Sequence, residues 1–146
     1  MTKIDSFDGE YDFLSNFYPC KVEWEGRIYQ SSEGAYQSAK CVNENEKDMF
    51  TSIPANQTKK LGRKVDLRED WDKVKEDIMY DIVYAKFTQN KELADKLINT
   101  GTVELVEGNY WGDTYWGVCN GMGQNKLGKI LMKIRSELVE SLNALF

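Results

Sequence analysis

Val22-Glu23-Trp24-Glu25-Gly26-Arg27-Ile28-Tyr29-Gln30-Ser31-Ser32-Glu33-Gly34-Ala35-Tyr36-Gln37-Ser38-Ala39-Lys40 is the stretch that decides the fold class. Its first part holds two short runs with alternating apolar positions on either side of Glu25-Gly26, the signal of a β-hairpin. Ser31 and Ser32 then suit a helix start, because a serine oxygen accepts from the unpaired N–H groups of a first turn. From Glu33 onward the spacing is helical. Glu33, Tyr36, Gln37 and Lys40 fall three and four residues apart and share one face. Strand and helix signals within one stretch predict an α+β fold.

Working outward, Asp8-Gly9 and Tyr18-Pro19 mark turns upstream. Downstream, helical signals dominate. Residues 44–50 form a short candidate. Pro54 suits the first turn of another helix, and Gly62 is a natural stop. Residues 70–89 carry an apolar stripe of Trp71, Val74, Ile78, Ile82 and Ala85. Residues 91–100 form a further helix, ended by Gly101. Residues 103–107 then alternate like a strand, and 108–117 are too rich in glycine and aromatics for a regular helix. Asn125 is placed to cap a last helix from 126 to about 142. No repeat, low-complexity tract or linker interrupts the chain. The expectation is one compact domain over residues 1–146, mostly helical, with a small β-sheet.

Composition sets limits on function. The chain has 146 residues, 41% hydrophobic and 29% charged, an ordinary globular balance. Its net charge of −5 disfavours a general nucleic-acid surface. The densest positive run, Lys59-Lys60-Leu61-Gly62-Arg63-Lys64, reads first as a solvated face. There is no histidine, which excludes Ser-His-Asp and Cys-His pairs and any histidine-containing zinc site. Proton transfers therefore fall to Asp, Glu, Lys, Tyr or Cys. Cys20, Cys41 and Cys119 are odd in number, widely spaced and without a CxxC pair, so neither a metal nor a disulfide framework is expected. Reduced thiols, an N-terminus without a signal-peptide core and no window of roughly 18 apolar residues predict a cytoplasmic protein with no membrane contact.

Two segments carry chemistry. The first is 107–117. Its glycines allow close backbone approach, Tyr110, Trp111, Tyr115 and Trp116 offer flat surfaces, and Glu107 and Asp113 offer carboxylates. This suits a nucleotide pocket, and it equally suits a tight loop whose aromatics fill a core. The second is the helix with Glu33 and Lys40 two turns apart on one face, with Asn16 upstream. Both side chains can line one cavity; the plain alternative is a solvated amphipathic helix. Asn16 and Asn109 can orient a ligand or serve turn chemistry.

These elements together resemble the NADAR superfamily, which includes YbiA-type N-glycosidases linked to riboflavin biosynthesis. The matching residues begin with Phe13-Leu14-Ser15-Asn16-Phe17-Tyr18-Pro19, Gly26-Arg27-Ile28-Tyr29-Gln30-Ser31-Ser32-Glu33, Ala35-Tyr36-Gln37 and Lys40. They continue with Leu61-Gly62-Arg63, Arg68-Glu69-Asp70-Trp71-Asp72, Met79 and Ala85-Lys86-Phe87. Leu93, Leu97, Thr100-Gly101, Leu105-Val106-Glu107, Asp113, Trp116-Gly117 and the run from Gly123 to Met132 with Arg135 complete the set. Each fragment is weak alone; the ordered set spans nearly the whole chain. Family members often carry a histidine directly after the glutamate aligned with Glu33, and here that position is Gly34.

The resemblance implies cleavage of a C–N glycosidic bond beside a ribose, with no cofactor and no metal. The implied substrates are phosphoribosylamino-pyrimidine or -uracil riboflavin intermediates, releasing ribose 5-phosphate. A second branch removes ADP-ribose from a guanine base, so a single modified nucleotide in nucleic acid is an alternative partner. A non-catalytic ADP-ribose- or nucleotide-binding module is a third reading. Such cleavage needs a carboxylate against the positive charge that develops on the sugar, and a proton for the departing nitrogen. Glu33 is the first choice for the carboxylate, with Glu107 and Asp113 as further candidates. Lys40 is assigned as phosphate ligand, proton donor or Schiff-base amine. Trp111 and Trp116 would stack on the base, Arg63 would bind phosphate, and Asn16 and Asn125 would hydrogen-bond sugar or base.

Overall fold

The computed structural model describes residues 1–145; Phe146, the last residue of the expected domain, lies outside the described residues. The elements run β1 (Lys3–Ile4), a 3-10 turn (Gly9–Leu14), β2 (Val22–Trp24), β3 (Arg27–Tyr29), α1 (Ser32–Ala39) and α2 (Glu44–Met49). A second 3-10 turn (Phe50–Ser52), α3 (Ala55–Gly62), α4 (Trp71–Gln89) and α5 (Lys91–Asn99) follow. The chain ends with β4 (Glu104–Leu105), β5 (Gly108–Asn109), β6 (Val118–Cys119) and α6 (Lys126–Asn143). The expected class holds: the fold is α+β, mostly helical, with very little strand. The described chain divides into two compact units, residues 16–90 and residues 1–15 with 91–145.

In residues 16–90 the hairpin forms as its pattern dictates. Glu25 (φ 50°) and Gly26 (φ 81°) both take positive φ, the geometry of a two-residue type I′ turn. Val22 pairs with Tyr29 and Trp24 with Arg27. Period two turns Val22 and Tyr29 inward, where both are buried, and leaves Glu23 and Ile28 in solvent. Ser31 caps α1, its Oγ accepting the Gly34 N–H at 3.0 Å. Ser32 is already helical, and its hydroxyl donates to Asn16 Oδ1 at 3.0 Å. Helix α4 buries Trp71, Ile78, Met79, Ile82, Val83, Lys86 and Phe87; of the stripe its spacing predicts, Val74 and Ala85 are only half-buried.

In the other unit, β1 lies parallel to β4 and β5 parallel to β6, each pair only two residues long. The single small sheet of the expectation is thus three separate pairs among the described residues. Asn125 does not cap α6. It adopts a left-handed conformation (φ 51°), and its side chain makes no capping bond. The reason is that the first-turn donors are already used. Gln124, Asn125, Lys126 and Leu127 donate their N–H groups to the carbonyls of Thr114, Gly117, Tyr115 and Trp116. The freed Asn125 amide accepts from the Glu107 N–H at 3.0 Å and donates to the Leu105 carbonyl at 2.9 Å. Arg135 fastens the same helix to Thr100 Oγ1 (2.9 Å) and the Val103 carbonyl (2.8 Å).

Candidate active site

Helix α1 concentrates the chemistry of residues 16–90. All its residues from Ser32 to Ala39 are buried, so it is not the solvated amphipathic helix that its sequence also allows. Glu33 is only 5% exposed. A carboxylate is stripped of water at a high cost unless donors replace that water. Gln37, one turn on, supplies one: its Nε2 donates to Glu33 Oε1 at 2.7 Å. Asn16 fixes where the helix begins, its carbonyl accepting the Glu33 N–H at 3.0 Å. The Asn16 amide is engaged as well, with Ser32 and with Met79 Sδ.

Lys40 closes α1 half-buried. Its Nζ stands 5.8 Å from the Tyr36 ring centre and 5.9 Å from that of Trp71. The two rings lie 5.1 Å apart, so they form an aromatic corner under the ammonium. Burial pushes the Lys40 ammonium below the usual lysine range. Glu33 opposes that shift, while the cations of Lys59 and Arg63 add to it. Glu33, Lys59 and Arg63 thus each lie within electrostatic reach of the Lys40 amine. Such an amine beside a buried carboxylate can give up a proton or attack a carbonyl. Lys59 and Arg63 are exposed and suited to an anionic group.

The cations of the basic run, Lys59, Lys60, Arg63 and Lys64, are exposed, as a solvated face requires. Lys59 also sits 5.2 Å over the Phe17 ring. Phe17 forms one wall of a groove of about 490 Å³ with Pro19, Cys20, Gln30 and Pro54. Neither Glu33 nor Lys40 lines that groove. The thiols of Cys20 and Cys41 are poor nucleophiles: burial raises Cys20, and it pushes Cys41 up to about 11.

The remaining expected residues lie together in the unit of residues 1–15 and 91–145. Asp113 Oδ1 accepts the N–H groups of Tyr115 (3.1 Å) and Trp116 (2.9 Å), so this carboxylate organises the loop. Asn109 braces it by donating to the carbonyl of Asp113 at 2.8 Å. A Cβ at Gly117 would collide with the Glu107 carbonyl, which is why this close approach needs glycine. The aromatics divide. Tyr115 and Trp116 are half-buried and edge-to-face at 4.9 Å. Tyr110 (90% exposed) and Trp111 (57% exposed) form a second edge-to-face pair that faces solvent. Asn125 holds the backbone of Leu105 and Glu107.

Three residues acquire a weight that sequence spacing did not give them. Trp71 reads as one member of an apolar stripe, yet it also floors the Lys40 amine. Gln37 reads as a neighbour on a shared face, yet it holds Glu33. Lys86 is fully buried, 5.7 Å from the Tyr18 ring and 5.1 Å from that of Phe87. Its signal was readable: Lys86 follows Ile82 by four residues and Met79 by seven, on the face α4 buries.

Comparison with known proteins shows what the chain is similar to. Residues 5–139 match the model of the NADAR domain. The chain is 40% identical over 138 residues to a riboflavin biosynthesis protein of Vibrio vulnificus, covering 91% of this chain and 37% of that protein's length. It is 36% identical over 135 residues to an N-glycosidase of Nostoc punctiforme, covering 88% and 86% of the two chains. The NMR structure of the Escherichia coli protein YbiA superposes with a TM-score of 0.84 at 32% identity, covering 96% of this chain and 86% of that one.

Proposed function

This chain belongs to the NADAR domain family, and from that premise we propose that it is an N-glycosidase acting on phosphoribosylamino-pyrimidine or -uracil riboflavin intermediates. It hydrolyses their C–N glycosidic bond and releases ribose 5-phosphate. Relatives named as N-glycosidases, over most of whose length this chain aligns, support the activity. A relative named as a riboflavin biosynthesis protein supports the substrate class, although this chain spans little more than a third of it.

The observation that carries the reading is a buried carboxylate, Glu33, within electrostatic reach of the half-buried Lys40 ammonium. As the C–N bond lengthens, positive charge grows on the sugar, and a nearby carboxylate stabilises it. Water adds its oxygen to the anomeric carbon and gives its proton to Glu33. The Lys40 ammonium, made more acidic by burial, protonates the departing nitrogen. Proton transfer from Glu33 back to Lys40 restores the starting state. Arg63 and Lys59 hold the phosphate. Asn16 acts by seating α1 rather than by touching the sugar. The match over residues 5–139 supports a single NADAR-like domain spanning both compact units. Three thiols outside any disulfide support a reducing, cytoplasmic setting.

A second reading, removal of ADP-ribose from a guanine base, draws on the exposed Tyr110–Trp111 pair, a stacking surface for a nucleobase. Incubation with both substrate types, with base release followed by mass spectrometry, separates the two. Release from the phosphoribosylamino compound supports the first reading, and release only from ADP-ribosylated DNA overturns it in favour of the second. Calorimetric binding of ADP-ribose with no release from either substrate points to a binding module.

A further inference from the structure

We propose that Gln37 is the positioning residue of the Glu33 carboxylate, and that Gly62 is a glycine because the Gln37 amide occupies the place of its side chain. The inference rests on the reading that Glu33 carries the chemistry. Gln37 is 4% exposed. Its Nε2 is spent on Glu33 Oε1 at 2.7 Å. Its other end is left over: among the described residues, Gln37 Oε1 is the buried side-chain polar atom with no hydrogen-bond partner.

A buried carbonyl oxygen without a donor is unfavourable, and folded proteins keep few of them. The opposite amide orientation does not help, since it would set Oε1 against a carboxylate oxygen. The amide is therefore oriented by what Glu33 needs. It delivers an N–H to the anion and leaves its own acceptor unpaired. An anion held by a charge-assisted bond keeps one rotamer, which is what a group facing a developing positive charge requires.

Helix α3 makes room for this arrangement. A Cβ at Gly62 would collide with Gln37 Oε1 and stand 3.2 Å from its Cδ. Gly62 is also the last helical residue of α3 and takes no positive φ, so no backbone strain demands glycine there. Sequence spacing reads it as a helix stop; packing assigns it to Gln37.

The test compares Gly62→Ala, Gln37→Met, Gln37→Ala and the Gly62→Ala/Gln37→Ala double variant with wild type on the phosphoribosylaminouracil substrate. Alanine favours a helix over glycine, so a structural glycine of no consequence predicts unchanged or better stability with full activity. The positioning role predicts that Gly62→Ala keeps its Tm while kcat falls about 10- to 100-fold, the range of a charge-assisted hydrogen bond. Gln37→Met gives a similar loss in kcat with KM within about threefold, because the carboxylate rather than binding is disturbed. In the double variant, Gly62→Ala adds nothing to the loss caused by Gln37→Ala. Wild-type kcat in Gln37→Met, or additive losses in the double variant, overturns the inference.

A substrate-free measurement keeps this apart from the proposed function. In NMR spectra, the Gln37 side-chain amide signals should move in Glu33→Gln and in Gly62→Ala, with signals of residues 91–145 unmoved. Unmoved Gln37 signals in both variants overturn the inference even for a protein without turnover. Wild-type activity that survives in Glu33→Gln overturns instead the role that the proposed function gives to Glu33.

Discussion

The Lys40 ammonium stands 5.9 Å from the centre of the Trp71 ring, with Tyr36 completing the corner. Lys40 ends α1 and Trp71 begins α4, so the amine is placed by two helix termini from distant parts of the sequence. Aromatic faces attract the charged form, but removal from water outweighs them, and the ammonium falls below the ordinary lysine range. Burying the ammonium in this way costs stability.

Lys40→Met should therefore lose turnover without losing stability. Where the folded pKa lies below the unfolded one, the unfolded chain holds a proton that the folded chain has released. Stability of the wild type then rises with pH between the two values, and below them it carries the full penalty. The variant lacks this penalty, so its advantage in Tm is present at neutral pH and shrinks as pH approaches the ordinary lysine value of about 10.4. Thermal unfolding across pH checks the sign. An advantage that grows with pH contradicts the assignment.

Gly34→Ala should stabilise the protein by about 0.5–1 kcal/mol, since alanine costs less chain entropy in a helix. The space exists: a Cβ there would lie 3.5 Å from Ser31 Oγ and 3.7 Å from Tyr29 Cβ, ordinary contacts. Urea unfolding measures the change. A loss of stability would mean that this position is tighter than its geometry indicates.

Asn125→Ala removes the partners of the Glu107 N–H and the Leu105 carbonyl and puts alanine at φ 51°. The expected cost is about 2–4 kcal/mol, combining two unpaired backbone groups with left-handed strain. Asn125→Gly relieves only the strain and should cost about 1 kcal/mol less. Equal losses in the two variants would place the whole cost in the hydrogen bonds.

Trp111→Ala should leave stability within about 0.5 kcal/mol, as befits an exposed side chain. If the ring stacks on a base, the variant weakens binding by about 1–3 kcal/mol. Calorimetric titration with ADP-ribose reads that difference directly. Unchanged affinity removes the stacking role.

Much of this layout was legible in the sequence, and the remainder has identifiable causes. The hairpin and α1 follow from a change of period at Ser31, and the long helices from their apolar spacing. Glu33, Lys40 and Arg63 were nameable, but the influence of Arg63 on Lys40 depends on α3 packing against α1. The pairing of Lys3 with Glu104 was not legible, because two-residue strands carry no periodicity. Asn125 was misread for a physical reason: loop carbonyls took the donors that an asparagine cap would have served. Gln37 was hidden because its importance lies in an acceptor left unpaired, which only coordinates reveal.

The most direct test measures base release from phosphoribosylaminouracil by wild type and by folded Glu33→Gln, with ribose 5-phosphate quantified in parallel. Hydrolysis with Glu33 as the working carboxylate predicts equimolar ribose 5-phosphate and free aminopyrimidine from the wild type, and a rate about 10²- to 10⁴-fold lower in the variant. No release by the wild type, or equal rates in the two proteins, would contradict it.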